Sequence, residues 1–469
     1  MKRFAIWTFA VATMVASSSA LADPASEAAL LERLEQQEQR LKVLERKLEI
    51  QDEKAKTTAS STPVVKASPK GFSFQSADGA NQIKLRGVTH IDGRYLLDDA
   101  GFAATDRTGG SDTWQLTRVR PIIEGTLYNL VDFRFTPDFG QGRTVIQDAF
   151  ITARLHPTLK ITAGKFKAPF GLERLQSAND IRFVARAYPT SLSPNRDIGL
   201  AVEGDLLSGG RLSYAVSYAN GVIDGGSSEA LTDIDVDDDQ DLVVRLFSHP
   251  FAESDAFALR GLGFGIAGSY IEQVGTVTQP LLPAFRTPPQ QTFFRYRTGA
   301  TATISNGERI RWSPQFYYYL GGLGLLGEYV QVSTDVSRTT TAGTSTGTIN
   351  NNGWQLAASW FLTGEEAAYR GYTPLSTFSP GKSWGAFELT ARYHELDIDD
   401  DAFAGGGDSF ADPTLSASKA STAEVGINWY LNQNLKWVLN YGVTRFDGGV
   451  TTGDRDDEKF LLTRFALGF

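Results

Sequence analysis

Six basic side chains, Lys165, Lys167, Arg174, Arg182, Arg186 and Arg196, fall within one short stretch that sets only Glu173, Asp180 and Asp197 against them. Gathered in a narrow, poorly solvated passage, such an excess attracts anions and turns cations away. Arginine suits a phosphate-like oxyanion because its planar fork donates two charge-assisted hydrogen bonds at once. A second basic knot, Arg286, Arg295, Arg297, Arg309 and Arg311, follows further along, and its Arg295 and Arg297 complete the set of candidate anion contacts.

Other chemistry finds little support. His90, His156, His249 and His394 show no metal-ligand spacing, the chain has no Cys, and neither a Gly-x-Ser-x-Gly elbow nor a phosphate-cradling glycine loop occurs. The expectation is a protein that is not an enzyme and needs no metal or cofactor. A formal charge of −9 over 469 residues is too diffuse to indicate a nucleic-acid partner. The acidic runs Asp233 to Asp241, Asp397 to Asp401 and Asp454 to Glu458 read as solvated outer loops, whose carboxylates could bridge to lipopolysaccharide through divalent ions. The first run lacks the Gly and Glu that an EF-hand loop requires.

The elements that must carry the basic residues are strands. Counting back by twos from the C-terminus, Phe469, Leu467, Phe465, Thr463 and Leu461 make one apolar face. Phe465, Leu467 and Phe469 then form a C-terminal signal for barrel assembly. Similar alternation runs over 83–92, 131–136, 387–394 and 423–441, and assignment by alternation along the chain puts Lys84, Arg86, Arg118, Arg120, Arg134 and Arg392 on an inward wall, beside carboxylates such as Asp92, Glu124, Glu388 and Glu424. A dry core tolerates so many charges only if each is paired, whereas a water-filled lumen accepts them. Short turns near Tyr128 and Asn129, Pro157, Gly209 and Gly210, Gly321 and Gly322, and Asn432 to Asn434 alternate with long polar loops, apart from the long segment 364–381 on the short-turn side. The expected fold class is all-β, a transmembrane antiparallel β-barrel of about 16 strands, with Phe293 to Ile304 treated as an excursion within a loop.

Ahead of the barrel, Lys2 and Arg3, an apolar run and Ala20-Leu21-Ala22 mark residues 1–22 as a cleavable export signal. Over residues 23–56, Leu30, Leu34, Leu41, Leu44 and Leu48 fall on a and d positions of a heptad, with Gln37 and Gln51 also at d, which describes a short periplasmic coiled coil that associates with copies of itself. Residues 57–70 read as an extended linker, and 71–469 as the barrel, with an inward-folded loop over about 168–196.

The segment Gly164-Lys-Phe-Lys-Ala-Pro-Phe-Gly-Leu-Glu173 and the stretch from Arg186 to Gly199 resemble the phosphate-selective porin O and P family of Gram-negative outer membranes. Ser313-Pro-Gln-Phe-Tyr-Tyr-Tyr319, Gly327-Glu-Tyr-Val330, Trp384-Gly-Ala-Phe-Glu388, Ala391-Arg-Tyr393 and the aromatic C-terminus extend the resemblance over residues 71–469. It implies trimeric barrels, loops folded into the channel and basic residues along an anion path, and many members resemble this chain in having an N-terminal coiled coil. The expected function is that of a homotrimeric outer-membrane porin for passive diffusion of small anions, phosphate or polyphosphate, set in lipopolysaccharide and outer-membrane lipid and touching peptidoglycan through the coil. Two alternatives stay open. One is a general or sugar-conducting porin that uses Phe183 or Tyr188 as a stacking surface, and the other is a structural envelope protein anchored through its coil.

Overall fold

The computed structural model describes residues 24–97, 112–227 and 238–469. The export signal over 1–22 and residues 233–237 of the first acidic run lie outside the described residues. The chain forms two compact units, Met1–Thr62 and Pro63–Phe469.

The first unit contributes helix α1, Pro24–Ser61. Leu34, Leu41, Leu44 and Leu48 are each 56–60% exposed, an apolar row with no core of its own. The helix runs five residues past the boundary expected at 56, because nothing before Pro63 breaks it. Val64–Ser68 is strand β1, paired antiparallel with β2, Gly71–Gln75. Most of the stretch 57–70 is therefore helix and strand rather than an extended linker.

The second unit is a closed barrel of 16 antiparallel strands. They are β3 (Gln82–Leu96), β4 (Thr113–Leu127), β5 (Val131–Asp138), β6 (Val145–His156), β7 (Leu159–Lys167), β8 (Arg196–Leu207), β9 (Leu212–Ala219), β10 (Asp241–Ser248) and β11 (Leu262–Val274). After a long loop containing the small ribbon β12 (Ala284–Arg286) and β13 (Thr292–Arg295) come β14 (Thr303–Leu320), β15 (Leu323–Thr340), β16 (Gly343–Phe361), β17 (Ala386–Asp397), β18 (Ala417–Tyr430), β19 (Leu435–Gly448) and β20 (Glu458–Gly468). The excursion assigned to Phe293 to Ile304 is thus a ribbon strand followed by loop, and its last two residues already belong to β14. Connections at one end are short, and Tyr128 and Asn129 both take positive φ, as the two central residues of a type I′ hairpin turn must. Long connections gather at the other end, with the 362–385 segment as the largest exception at the turn end.

Alternation sorts the faces as expected. On β20, Phe465 and Leu467 are exposed on the outside, while Phe460, Leu462, Arg464 and Ala466 are buried inside. The acidic runs differ from the solvated loops expected of them at two points: Asp241 opens β10 and Glu458 opens β20, and both are buried.

β20 closes the ring against β3, from Phe460 opposite Leu96 to Gly468 opposite Val88. Below that point β2 takes over and pairs with residues 82–85 of β3, so the edge left by the end of the chain is covered. Across the seam, Arg464 binds Asp92 through two hydrogen bonds of 2.7 Å. Asp92→Ala strands a buried guanidinium in this closing contact. The variant is expected to lose about 3–5 kcal/mol, read as loss of the compact fast-migrating species on unheated gels, with Asp92→Asn milder.

Part of the interior is filled. Phe170 and Tyr188 from the loop after β7, Phe285, Phe293 and Phe294 from the β12–β13 region, and Ala402 and Phe410 from the loop after β17 form one apolar cluster against the inner faces of β15 to β18. A ring of 16 strands is wide enough for an aqueous channel. Here the loops fill part of it, against the inner faces of β15 to β18.

Candidate functional site

Residues 168–195 leave β7 and turn into the barrel. The bend begins at Gly171, with φ +67° and Ser193 Oγ 2.9 Å from where a Cβ would stand, so only glycine fits. Helix α2, Leu172–Leu175, follows, and its first two N–H groups donate to the Glu328 carboxylate on β15. Gln355 Nε2 on β16 bridges Glu328 at 2.7 Å and Glu173 at 3.3 Å. Arg392 on β17 sits between Glu173, at 3.2 Å, and Glu424 of β18, and also donates to the Ala185 carbonyl. Arg182 reaches Glu388 at 2.7 Å, and the other oxygen of Glu388 accepts from Asn428 and Tyr430. Lys436 donates to the carbonyls of Asn179 and Ile181. The rear of the loop is thus held by Glu173, Glu328, Glu388 and Glu424, and their charges are spent on holding it.

The front carries the opposite balance. Lys167 Nζ lies on the Gln176 and Arg174 carbonyls at 2.7 and 2.9 Å, and Arg186 on those of Gln176 and Glu173 at 3.0 and 3.3 Å. Arg174 donates to the Thr190 carbonyl, and Arg118 of β4 donates to His90 Nδ1 of β3 at 3.0 Å. Among the described residues none of these four cations has a carboxylate within ion-pair distance. Arg120 and Arg196 stand in the same field, paired with Asp138 at 2.7 Å and Asp148 at 2.8 Å. Burial pushes Arg186 down to about 10; Glu173 opposes, while Arg196, Arg120 and Arg464 push the same way. Burial and the neighbouring Arg186 and Arg196 push Arg174 down to about 9. A guanidinium keeps its proton at such values. Burial is the first cause of both depressions, and the neighbouring guanidinium groups add to it.

The basic residues read from the sequence therefore divide. Lys167, Arg174, Arg186 and Arg196 come together with Arg118 and Arg120, and Lys165 is buried at the end of β7. Arg182 and Arg392 face the rear wall as anchors. Arg297 binds Asp412 at 3.0 Å and ties the β12–β13 region to the loop after β17, while Arg295 lies on β13, where its backbone N–H donates to Ser416 Oγ. Arg309 and Arg311 are fully buried on β14, the latter on Asp224 and Asp241. Lys84 is exposed, and Arg86 and Arg134 share Glu124. Sequence reading missed His90, Asn179, Glu328 and Gln355, since neutral residues and isolated carboxylates carry no local signal of an anchoring role. It also missed the support from the turn end: Tyr369 Oη donates to the Leu172 carbonyl at 2.6 Å, and Gln176 donates to the Tyr369 carbonyl at 2.8 Å.

A model of the family described as phosphate-selective porin O and P matches residues 90–469. No curated protein sequence matches the chain. The outer membrane channel DcaP of Acinetobacter baumannii is similar in structure, with 11% identity, a TM-score of 0.50 and coverage of 84% of this chain and 99% of that one. An anion-selective porin from Comamonas acidovorans (13% identity, TM-score 0.47, 83% and 100% covered) and OmpT of Vibrio cholerae (10%, 0.47, 83% and 98%) also match. At such identities the likeness is one of fold. With the closed barrel and its inward loop, the family match over most of the chain leads to one assignment: this is an outer-membrane porin of a Gram-negative bacterium and belongs to the phosphate-selective porin O and P family.

Proposed function

We propose that this porin passes small anions, phosphate or polyphosphate among them, down their gradient through the gap between the front of the inward loop and the wall of β3 to β8. The reading rests on one observation: Arg118, Lys167, Arg174 and Arg186 lie close enough to act on one another and are held by carbonyl and imidazole acceptors, with no carboxylate within ion-pair distance among the described residues. Carbonyl and imidazole acceptors fix these cations and leave their charge available, so an anion trades part of its hydration for them and is held loosely enough to move on. Three copies associate through the leucine row of α1, a helix that also reaches peptidoglycan, and the outer rim contacts lipopolysaccharide. Residues 1–22 direct export, and Phe465, Leu467 and Phe469 mark the chain for barrel assembly.

The test is the reversal potential of the purified protein in a planar bilayer under a salt gradient, followed by phosphate titration of the chloride current. Anion preference with saturable block is expected. Cation preference, or no block, would leave a general porin.

A further inference from the structure

His90 is fully buried, and both of its ring nitrogens are committed. Nδ1 lies 3.0 Å from Arg118 Nη1, and Nε2 lies 2.9 Å from Asn179 Oδ1 at the tip of the inward loop. A guanidinium only donates, so Nδ1 must accept, and the single proton resides on Nε2, which donates to Asn179. The ring is therefore neutral, in one tautomer, and joins the front wall to the loop.

Resting on the anion path proposed above, we infer that His90 is a positioning residue: its Nδ1 lone pair aims the unpaired Arg118 guanidinium into the gap, and its Nε2–H sets the loop tip at the matching distance. Without an acceptor there, Arg118 would swing toward Asp92, the nearby carboxylate, which already holds Arg464. A neutral acceptor orients the charge without cancelling it, which a carboxylate in the same place could not do. The charged groups facing the ring are Arg118 from β4, Arg464 from β20 and Lys436 from β19, with Asp92 two residues along its own strand; the inward loop presents the neutral Asn179. A proton on Nδ1 would remove the acceptor and set an imidazolium against the guanidinium. Acid should therefore undo the alignment.

Two near-isosteric variants separate the contacts. His90→Asn places an amide oxygen near the Nδ1 position and keeps the acceptor for Arg118, whereas His90→Gln places an amide N–H near Nε2 and keeps only the tether to Asn179. Measured as phosphate block of the chloride current, His90→Asn should stay near wild type and His90→Gln should need about tenfold more phosphate, the loss of one charge-assisted hydrogen bond. Block by phosphate should fall in acid for wild type beyond what phosphate's own protonation explains, as judged by the His90→Asn profile run alongside. A purely structural histidine predicts that both variants are impaired together, or neither, with parallel pH profiles, and that result overturns the inference. Both variants must first migrate as intact barrels on unheated gels. If wild type itself shows neither anion preference nor block, the anion-path reading fails first, an outcome distinct from failure of His90 within a working anion channel.

Discussion

Arg118→Gln combined with Arg186→Gln is expected to remove most of the channel's preference for anions, lowering the anion-to-cation permeability ratio by about tenfold or more. Glutamine's amide nitrogen reaches about as far as an arginine Nε, so it retains a donor for the Glu173 carbonyl, and the loop's contacts to Glu328, Gln355 and Arg392 can keep its place while two uncompensated charges vanish. At ~8 Å and an effective dielectric of ~20, one unit charge acts on a passing ion with about 2 kcal/mol. Screening over a Debye length of ~10 Å in 0.1 M salt roughly halves that value. Each removed charge weakens the attraction for the anion and the repulsion of the cation together, so two removals multiply. The reversal potential should therefore be measured near 0.1 M, because at 1 M the screening length falls to ~3 Å and wild type and variant converge.

Arg297→Gln supplies the contrast. It stood in the same candidate set on sequence grounds, yet it is bound to Asp412 and the Ser409 carbonyl between two loops and should leave the permeability ratio unchanged. An equal loss in both variants would mean that selectivity follows total basic charge, and would remove the front of the inward loop as its seat.

That contrast also marks how far the sequence could be read. Period-two alternation and turn residues suffice to place the strands, because each turn signal is local and each inward or outward choice follows from its neighbour. The inward positions of Arg392, Glu388 and Glu424 followed from the same count. Which of the inward cations stay unpaired did not follow, since a guanidinium's partner lies on another strand or loop. Arg182 meets Glu388 across 206 positions, and Arg392 meets Glu173 across 219. Asp241 looked like one member of a solvated acidic run, yet it is the buried counter-charge of Arg311, 70 positions away. The helix boundary differs for a simpler reason: polar residues after 56 suggest a linker, but no Gly or Pro interrupts the helix before Pro63. The apolar filling of one side of the lumen was hidden as well, because Phe285, Phe293, Phe294 and Phe410 lie in loops where no periodic pattern marks them as core.

Arg392→Met is expected to release the inward loop while leaving the barrel closed. Among the described residues Arg392 is the one cation that contacts both Glu173 of the loop and Glu424 of the wall, and its guanidinium also lies 4.1 Å from the centre of the Phe183 ring. Removing it leaves two buried carboxylates without their counter-charge, at a cost of about 3–5 kcal/mol. The docked loop bears that cost, because the strand ladders of β16 to β18 consist of backbone hydrogen bonds that the substitution does not touch. Single channels should show higher conductance, rapid current fluctuation and weakened phosphate block, with unheated gel mobility preserved. Adding Glu173→Gln and Glu424→Gln to Arg392→Met neutralises the stranded charges and should restore part of the quiet, lower-conductance state, even though the variant is then further from the native sequence. Rescue of that kind identifies uncompensated charge as the cause. If the triple variant is noisier than Arg392→Met alone, the loop is held by the sum of its hydrogen bonds, and the ion-pair account of its docking is wrong.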